Sequence, residues 1–240
     1  MKVLVWGIEP QLKTVKEKAK YLIDTADIVD INLEFIGVGK TFTNFTNRLY
    51  FLQEYLDNIP PEEIVMVMDG YDTLINSTLE NIELQFKGYQ TRILISAEKM
   101  FTYQWEKFKD KFDNIESEYR YVNAGTFIGY VKDIQGMIKD LFEINKTHPT
   151  EIDQGLMGIW MYNNLEKPEK AKLDTDCKVF WVTSKDWYIL NKLDEKLINP
   201  ATGTSPCIIH NTGNSNASFF KYYKYLHQLI LQSSSNNIYI

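Results

Sequence analysis

The sequence predicts an α/β fold with a mixed, mostly parallel sheet flanked by helices. Three observations carry this expectation. Short apolar runs alternate along the chain with segments of helical apolar spacing. The intervals between them suit strand–helix–strand units, which favour parallel pairing. No internal repeat and no Pro/Gly-rich linker divides the 240 residues, so one domain over 1–240 is expected, with 231–240 as a frayed polar tail. A chain that is 44% hydrophobic and 14% aromatic can bury one full core.

The elements follow in order. "KVLVWG" (2–7) is a first strand, and residues 10–25 are helical, with apolar positions at Leu12, Val15, Ala19, Leu22 and Ile23. "DINLEFIG" (30–37) is a second strand, and "TNRLYFLQEYLDN" after it is helical. "PPEEIVMVMD" gives a start signal and a third strand, and "RILIS" running into "SAE" (96–98) gives a fourth. In "YVNAGTFIGYV" small residues are expected between a strand and the helix "KDIQGMIKDLFEI", where a backbone could approach a ligand closely. "DQGLMGIWMYNN" is another helix, with Asp153 and Gln154 at its start, a placement that suits an N-cap equally well. "CKVFWV" and "PCIIHN" are short late strands, and "FFKYYKYLHQLI" (219–230) is a packing helix.

Composition narrows the function. A formal net charge of -6 and a pI near 5.2 give no basic surplus for nucleic acid. An anionic ligand would need local compensation from a metal or a helix N-terminus. No apolar run approaches the roughly 18 residues of a membrane span. "MKVLVWG" is broken by Gly7, Glu9 and Pro10 and fits a strand better than a secretory leader, so a soluble chain, cytoplasmic by default, is expected. Cys177 and Cys207 form no metal-ligand spacing and are expected as buried small hydrophobes.

The chemistry concentrates in "VMVMDGYDTLI" (65–75). An apolar strand runs straight into Asp69 and Asp72, with Tyr71 between them. Ligands of open α/β sheets collect at the carboxyl ends of strands. Two carboxylates there repel each other unless a cation intervenes, and Mg²⁺ or Mn²⁺ binds such acids together with substrate phosphates. Turn and helix capping would explain the same two acids. Tyr71 adds a surface on which a nucleobase could stack. "GVGKT" (37–41) is no phosphate loop, because Glu34 stands where the Walker pattern needs glycine. "DGYDTL" is one residue too long for the D-x-D-x-T of haloacid-dehalogenase-type phosphatases, and a phosphatase-like hydrolase is the weaker alternative. His210, closing the strand "PCIIH", could add a nitrogen ligand to the same cation or serve structurally. Glu98 closes another strand and could accept hydrogen bonds from sugar hydroxyls, or favour the following helix N-terminus.

Taken in order, "MDGYD", "ILISAE", "YVNAGTFIGY", "DQ", "VFW" and "IIHNTGN" resemble the glycosyltransferase domain of procollagen lysyl hydroxylases and related collagen glycosyltransferase-like proteins. The likeness runs from about residue 30 to about residue 215. It implies a GT-A fold, Mn²⁺ (or Mg²⁺) and a UDP-hexose donor, glucose or galactose. The implied acceptor is hydroxylysine or galactosyl-hydroxylysine of a collagen-like protein. By position, Asp69, Asp72 and His210 resemble the metal ligands. Tyr71 resembles the residue that stacks on uracil, and Phe42 the aromatic that covers the base from the other side. Asp153 resembles the last acid beside the reacting sugar and is the catalytic candidate. Glu98, Asn123, Gly125, Gln154 and Gly213 match positions of the donor pocket. The chain departs from the family at Ile152, where the acidic run is longer, at Thr102, where a tryptophan is expected, and in His210-Asn211-Thr212-Gly213, where the family has His-Gly-Asn-Gly. These departures leave a second possibility, a non-catalytic UDP-sugar-binding module.

Overall fold

The computed structural model describes residues 1–183, 197–212 and 217–235. Six strands form the main sheet: β1 (Lys2–Trp6), β2 (Leu33–Ile36), β3 (Ile64–Asp69), β5 (Ile93–Glu98), β6 (Tyr121–Tyr130) and β7 (Ala171–Asp174), in the order β2-β1-β3-β6-β5-β7. Only β6 is reversed; every other neighbouring pair in this sheet is parallel. A second sheet has the order β4-β9-β8, from β4 (Thr73–Ile75), β8 (Phe180–Val182) and β9 (Ile208–His210). Among the described residues the α-helices are α1 (Leu12–Lys18), α2 (Lys20–Ile28), α3 (Arg48–Leu56), α4 (Leu79–Gly88), α5 (Asp110–Asp113), α6 (Val131–Thr147), α7 (Asp153–Tyr162) and α8 (Ala217–Ser235). None of the described helices is long and apolar enough to cross a membrane.

The continuous apolar runs of the strands follow from burial on both faces. Along β3, Val65 and Val67 point into one core with Leu49, Leu52, Ile134, Ile138 and Leu156. Met66 and Met68 point into the other with Leu22, Ala26, Ile82 and Phe86. This alternation places α3, α6 and α7 on one side of the sheet, and α2 and α4 on the other.

Several expectations need correction. "VNAGTFIG" is not a strand–helix corner; it is the interior of the ten-residue β6, and α6 starts directly after it. The small residues serve close approach, at Gly129 of the Arg92 carbonyl and at Gly125 of the His210 ring. The first helix divides at Ala19 and continues to Ile28. The N-cap of α7 is Ile152; Asp153 is the first helical residue, and its carboxylate accepts from Arg48. Helix α8 continues past Leu231 to Ser235. Strands β4 and β7 and helix α4 occupy stretches where no element was expected. Cys177 and Cys207 are both buried, as their context predicts.

Candidate active site

Strand β3 delivers Asp69 to the carboxyl edge of the sheet, level with Trp6 at the end of β1. The chain then turns at Gly70, where a Cβ would lie 2.5 Å from the Trp6 carbonyl oxygen. Only glycine passes that close to the neighbouring strand end. Asp72 follows, and β4 begins at once. There Thr73 pairs with His210 across the antiparallel β4–β9 ladder, and the Asn211 amide donates to the Asp72 carbonyl at 2.8 Å. A backbone ladder therefore brings a histidine from near the end of the chain beside two acids from its first third.

Ligand atoms of Asp69, Asp72 and His210 lie within 4.8 Å of one another. His210 Nε2 is 3.4 Å from Asp72 Oδ1 and 3.6 Å from Asp69 Oδ2. It is a buried nitrogen with no hydrogen-bond partner among the described residues. Burial pushes the His210 pKa down, but the charges of Asp72, Asp69 and Glu98 outweigh it and hold the imidazole above its ordinary value. Burial raises Asp69, with Arg48 opposing and Asp72 reinforcing. An orphaned imidazole nitrogen facing two carboxylates fits a divalent cation, which satisfies all three at once. Gly125 on β6 makes room for the group: a Cβ there would lie 2.0 Å from His210 Cε1 and 2.7 Å from Asp69 Oδ2.

Arg48 ties this group to Asp153. The first residue of α3, it is 5% exposed. Its Nη1 donates to Asp69 Oδ1 at 2.6 Å, its Nε to Asp153 Oδ2 at 2.6 Å, and its Nη2 to the Ala124 carbonyl at 3.4 Å. Its guanidinium carbon stands 4.9 Å from the Trp6 ring centroid and 5.4 Å from that of Phe45. Burial disfavours the cation, yet Asp153 and Asp69 more than compensate and raise its pKa. Asp153 is 3% exposed, and burial raises its carboxyl against the pull of Arg48. The sequence reading missed Arg48. A signal existed: Arg48 shares the i, i+4, i+8 stripe with buried Leu52 and Leu56, at a helix N-terminus where a cation is disfavoured.

The remaining candidates fall into two groups. Glu98, Asn123 and Gln154 are buried and hydrogen-bonded together. Asn123 Nδ2 donates to Glu98 Oε1 at 3.3 Å, as does Gln154 Nε2 at 2.9 Å, and Thr102 Oγ1 adds a third donor at 3.3 Å. Burial is the larger influence on Glu98 and raises its pKa. Tyr71 and Phe42 lie nearer the surface. The Tyr71 hydroxyl donates to Glu9 Oε1 at 3.4 Å, and burial with the Glu9 charge pushes its pKa up to about 12. Phe42, 46% exposed, meets Phe45 edge-on at 5.2 Å, beyond the loop that turns at Gly37 and Gly39 with φ of 83° and 80°. That loop is anchored by Thr46, whose amide and hydroxyl donate to the carbonyls of Glu151 and Thr150 just ahead of α7. Gly213 lies outside the described residues.

Comparison with known proteins agrees with this architecture. A procollagen-lysine,2-oxoglutarate 5-dioxygenase of Drosophila melanogaster is 26% identical over 230 residues, covering 85% of this chain and 30% of the fly protein. A multifunctional procollagen lysine hydroxylase and glycosyltransferase of Caenorhabditis elegans is 23% identical over 215 residues, covering 82% of this chain and 29% of the nematode protein. The chain thus spans less than a third of the length of either relative. Among solved structures, the galactosyltransferase LgtC, in complex with donor and acceptor sugar analogues, superposes with a TM-score of 0.55 at 15% identity, covering 97% of this chain and 96% of that one. A glycosyltransferase involved in glycosylation of the PBCV-1 major capsid does so with a TM-score of 0.53 at 13% identity, covering 92% and 98%. These likenesses establish the GT-A fold. The profile of the PLOD GT domain matches residues 13–236, and the chain belongs to that glycosyltransferase-domain family.

Proposed function

We propose that this chain is a metal-dependent hexosyltransferase that takes glucose or galactose from a UDP-sugar. The observation that carries the reading is the convergence of Asp69, Asp72 and His210 Nε2, which has no hydrogen-bond partner among the described residues, within 4.8 Å at the carboxyl edge of the sheet. Mn²⁺ is the proposed ion, with Mg²⁺ able to replace it. When bound there it would neutralise the charge that grows on the diphosphate as the sugar leaves. Tyr71 offers its ring to uracil, and Phe42 offers a second aromatic face from the Gly37–Gly39 loop. Arg48 holds Asp153 beside the metal ligands, so the acid proposed to act on the sugar is fixed relative to the leaving group. Asp153 would orient donor hydroxyls or support a cationic anomeric carbon. The names of the fly and nematode relatives support a collagen-like acceptor, hydroxylysine or galactosyl-hydroxylysine.

The test is release of UDP from a panel of UDP-hexoses, with Mn²⁺ and with or without a hydroxylysine-containing collagen peptide. Turnover that stops on Mn²⁺ removal is expected. Purified protein that neither binds UDP nor cleaves any UDP-hexose in Mn²⁺ refutes the proposal. Asp72→Ala should abolish Mn²⁺-dependent UDP binding; unchanged affinity would remove Asp72 from the ligand set. A second reading, a module that binds UDP-sugar without turnover, is favoured by the 3% exposure of Asp153 and its tie to Arg48. UDP binding with no turnover of any donor would select it.

A further inference from the structure

Hydrogen bonds behind the metal group determine which nitrogen of His210 is free. The Gly125 amide donates to Asn123 Oδ1 at 3.0 Å, and a backbone N–H can only donate. On its other side, Asn123 Nδ2 faces the Glu98 carboxylate at 3.3 Å. The side-chain amide is thus fixed in one orientation, with its oxygen toward Gly125. His210 Nδ1 stands 3.1 Å from that same oxygen. It must carry the hydrogen and donate. A neutral imidazole has one N–H, so its lone pair is on Nε2, the atom that faces Asp69 and Asp72. Glu98 is itself held by Gln154, whose Oε1 accepts from the Ala124 amide at 3.3 Å.

We propose that Asn123 and Glu98 are positioning residues: a carboxylate–amide–imidazole chain that fixes His210 as an Nε2 ligand and ties it, through Gln154, to the helix start that carries Asp153. The inference rests on the metal reading of the preceding section. It assigns Glu98 and Asn123 work behind the ligands, in place of contact with donor hydroxyls.

Mn²⁺ affinity, read from the EPR signal of free ion without nucleotide, tests it on the whole chain. Asn123→Asp sets a new carboxylate against Glu98, and affinity should fall about ten- to a hundredfold, the usual cost of losing a ligand's support. Adding Glu98→Gln exchanges the two charges. The carboxylate at 123 can then accept from His210 and Gly125, while the amide at 98 donates to it. Most of the lost affinity should return. A wild-type affinity for Asn123→Asp, or a double variant as weak as the single one, overturns the proposal. A second readout needs no variant: in Zn²⁺-loaded protein with ¹⁵N-labelled histidine, His210 should show a protonated Nδ1 and an ion-bound Nε2. A proton on Nε2 overturns it equally. Wild-type protein that binds no Mn²⁺, with or without UDP, would sink the metal reading itself; normal wild-type binding with insensitive variants sinks this inference alone.

Discussion

Replacing Arg48 with methionine tests whether one buried cation holds the site together. The side chain keeps most of its length and loses its charge and all three donor contacts. Asp153, whose side chain is 4% exposed, is left buried without a counter-charge; Asp69, at 27%, recovers part of its hydration. Removing one partner of a buried pair costs about 3–5 kcal/mol, and here Asp153 accounts for most of it. For a chain of this size each kcal/mol moves the melting temperature about 2–4 °C, so a fall of about 6–20 °C is expected at pH 7.5. The pH dependence has a definite sign. Burial raises Asp153 above its unfolded value, and losing Arg48 raises it further. Such a group favours the fold below its unfolded pKa, and that contribution is lost as pH rises through its folded pKa. The deficit of the variant should therefore shrink as pH falls. Thermal unfolding by circular dichroism measures it. In an Asp153→Asn background the same arginine change should cost at least about 1 kcal/mol less, since the stranded charge is gone. A melting temperature within about 2 °C of wild type, or strict additivity in the double variant, would refute the argument.

Three further outcomes follow from the site. Gly125→Ala should leave β6 intact but push His210 and Asp69 apart, costing about 1–3 kcal/mol of stability and weakening Mn²⁺ binding; isothermal titration with unchanged affinity would show that the group is not the ion's site. If Tyr71 stacks on uracil as proposed, Tyr71→Phe should keep UDP affinity, because the ring remains, while Tyr71→Ala should lose about 1–3 kcal/mol; equal losses in both would assign the affinity to the hydroxyl. As a proposed Mn²⁺ ligand His210 must be neutral, and its neighbours hold its pKa above the ordinary value of about 6.5, so affinity should already decline as pH is lowered toward 6.5; a flat profile between pH 8 and 6 would remove the histidine from the ligand set.

Much of this was legible in the sequence because strand ends are local. The run "VMVMD" announces both a strand buried on two faces and an acid at its exit. The short strands were less legible. "TLI" and "AKLD" are too brief to show a period, and their pairing depends on partners far along the chain. That limit matters most for β4, since the β4–β9 ladder sets His210 beside Asp72. The histidine could be suspected from its place after an apolar run, but its local sequence left a structural role open; the family resemblance, not any strand period, grouped it with Asp69 and Asp72. "VNAGTFIG" misled for a related reason. Small residues mark close backbone approach, and the sequence does not say whether what approaches is a ligand or, as at Gly125, the imidazole of His210.

Arg48 shows how fold and site depend on each other. It belongs to a helix whose other inward residues are leucines, and a cation among them is tolerable only because Asp69 and Asp153 meet it there. Those acids come from a strand end and a helix start that reach this edge only once the sheet has formed. The cation is therefore costly before assembly and stabilising after it, and the same contacts that align Asp153 with Asp69 reward the correct docking of α3 and α7. A site built this way resists repair by a single substitution. Arg48→Lys keeps the charge, but one ammonium cannot span the two carboxylates that the guanidinium fork now holds at 2.6 Å each.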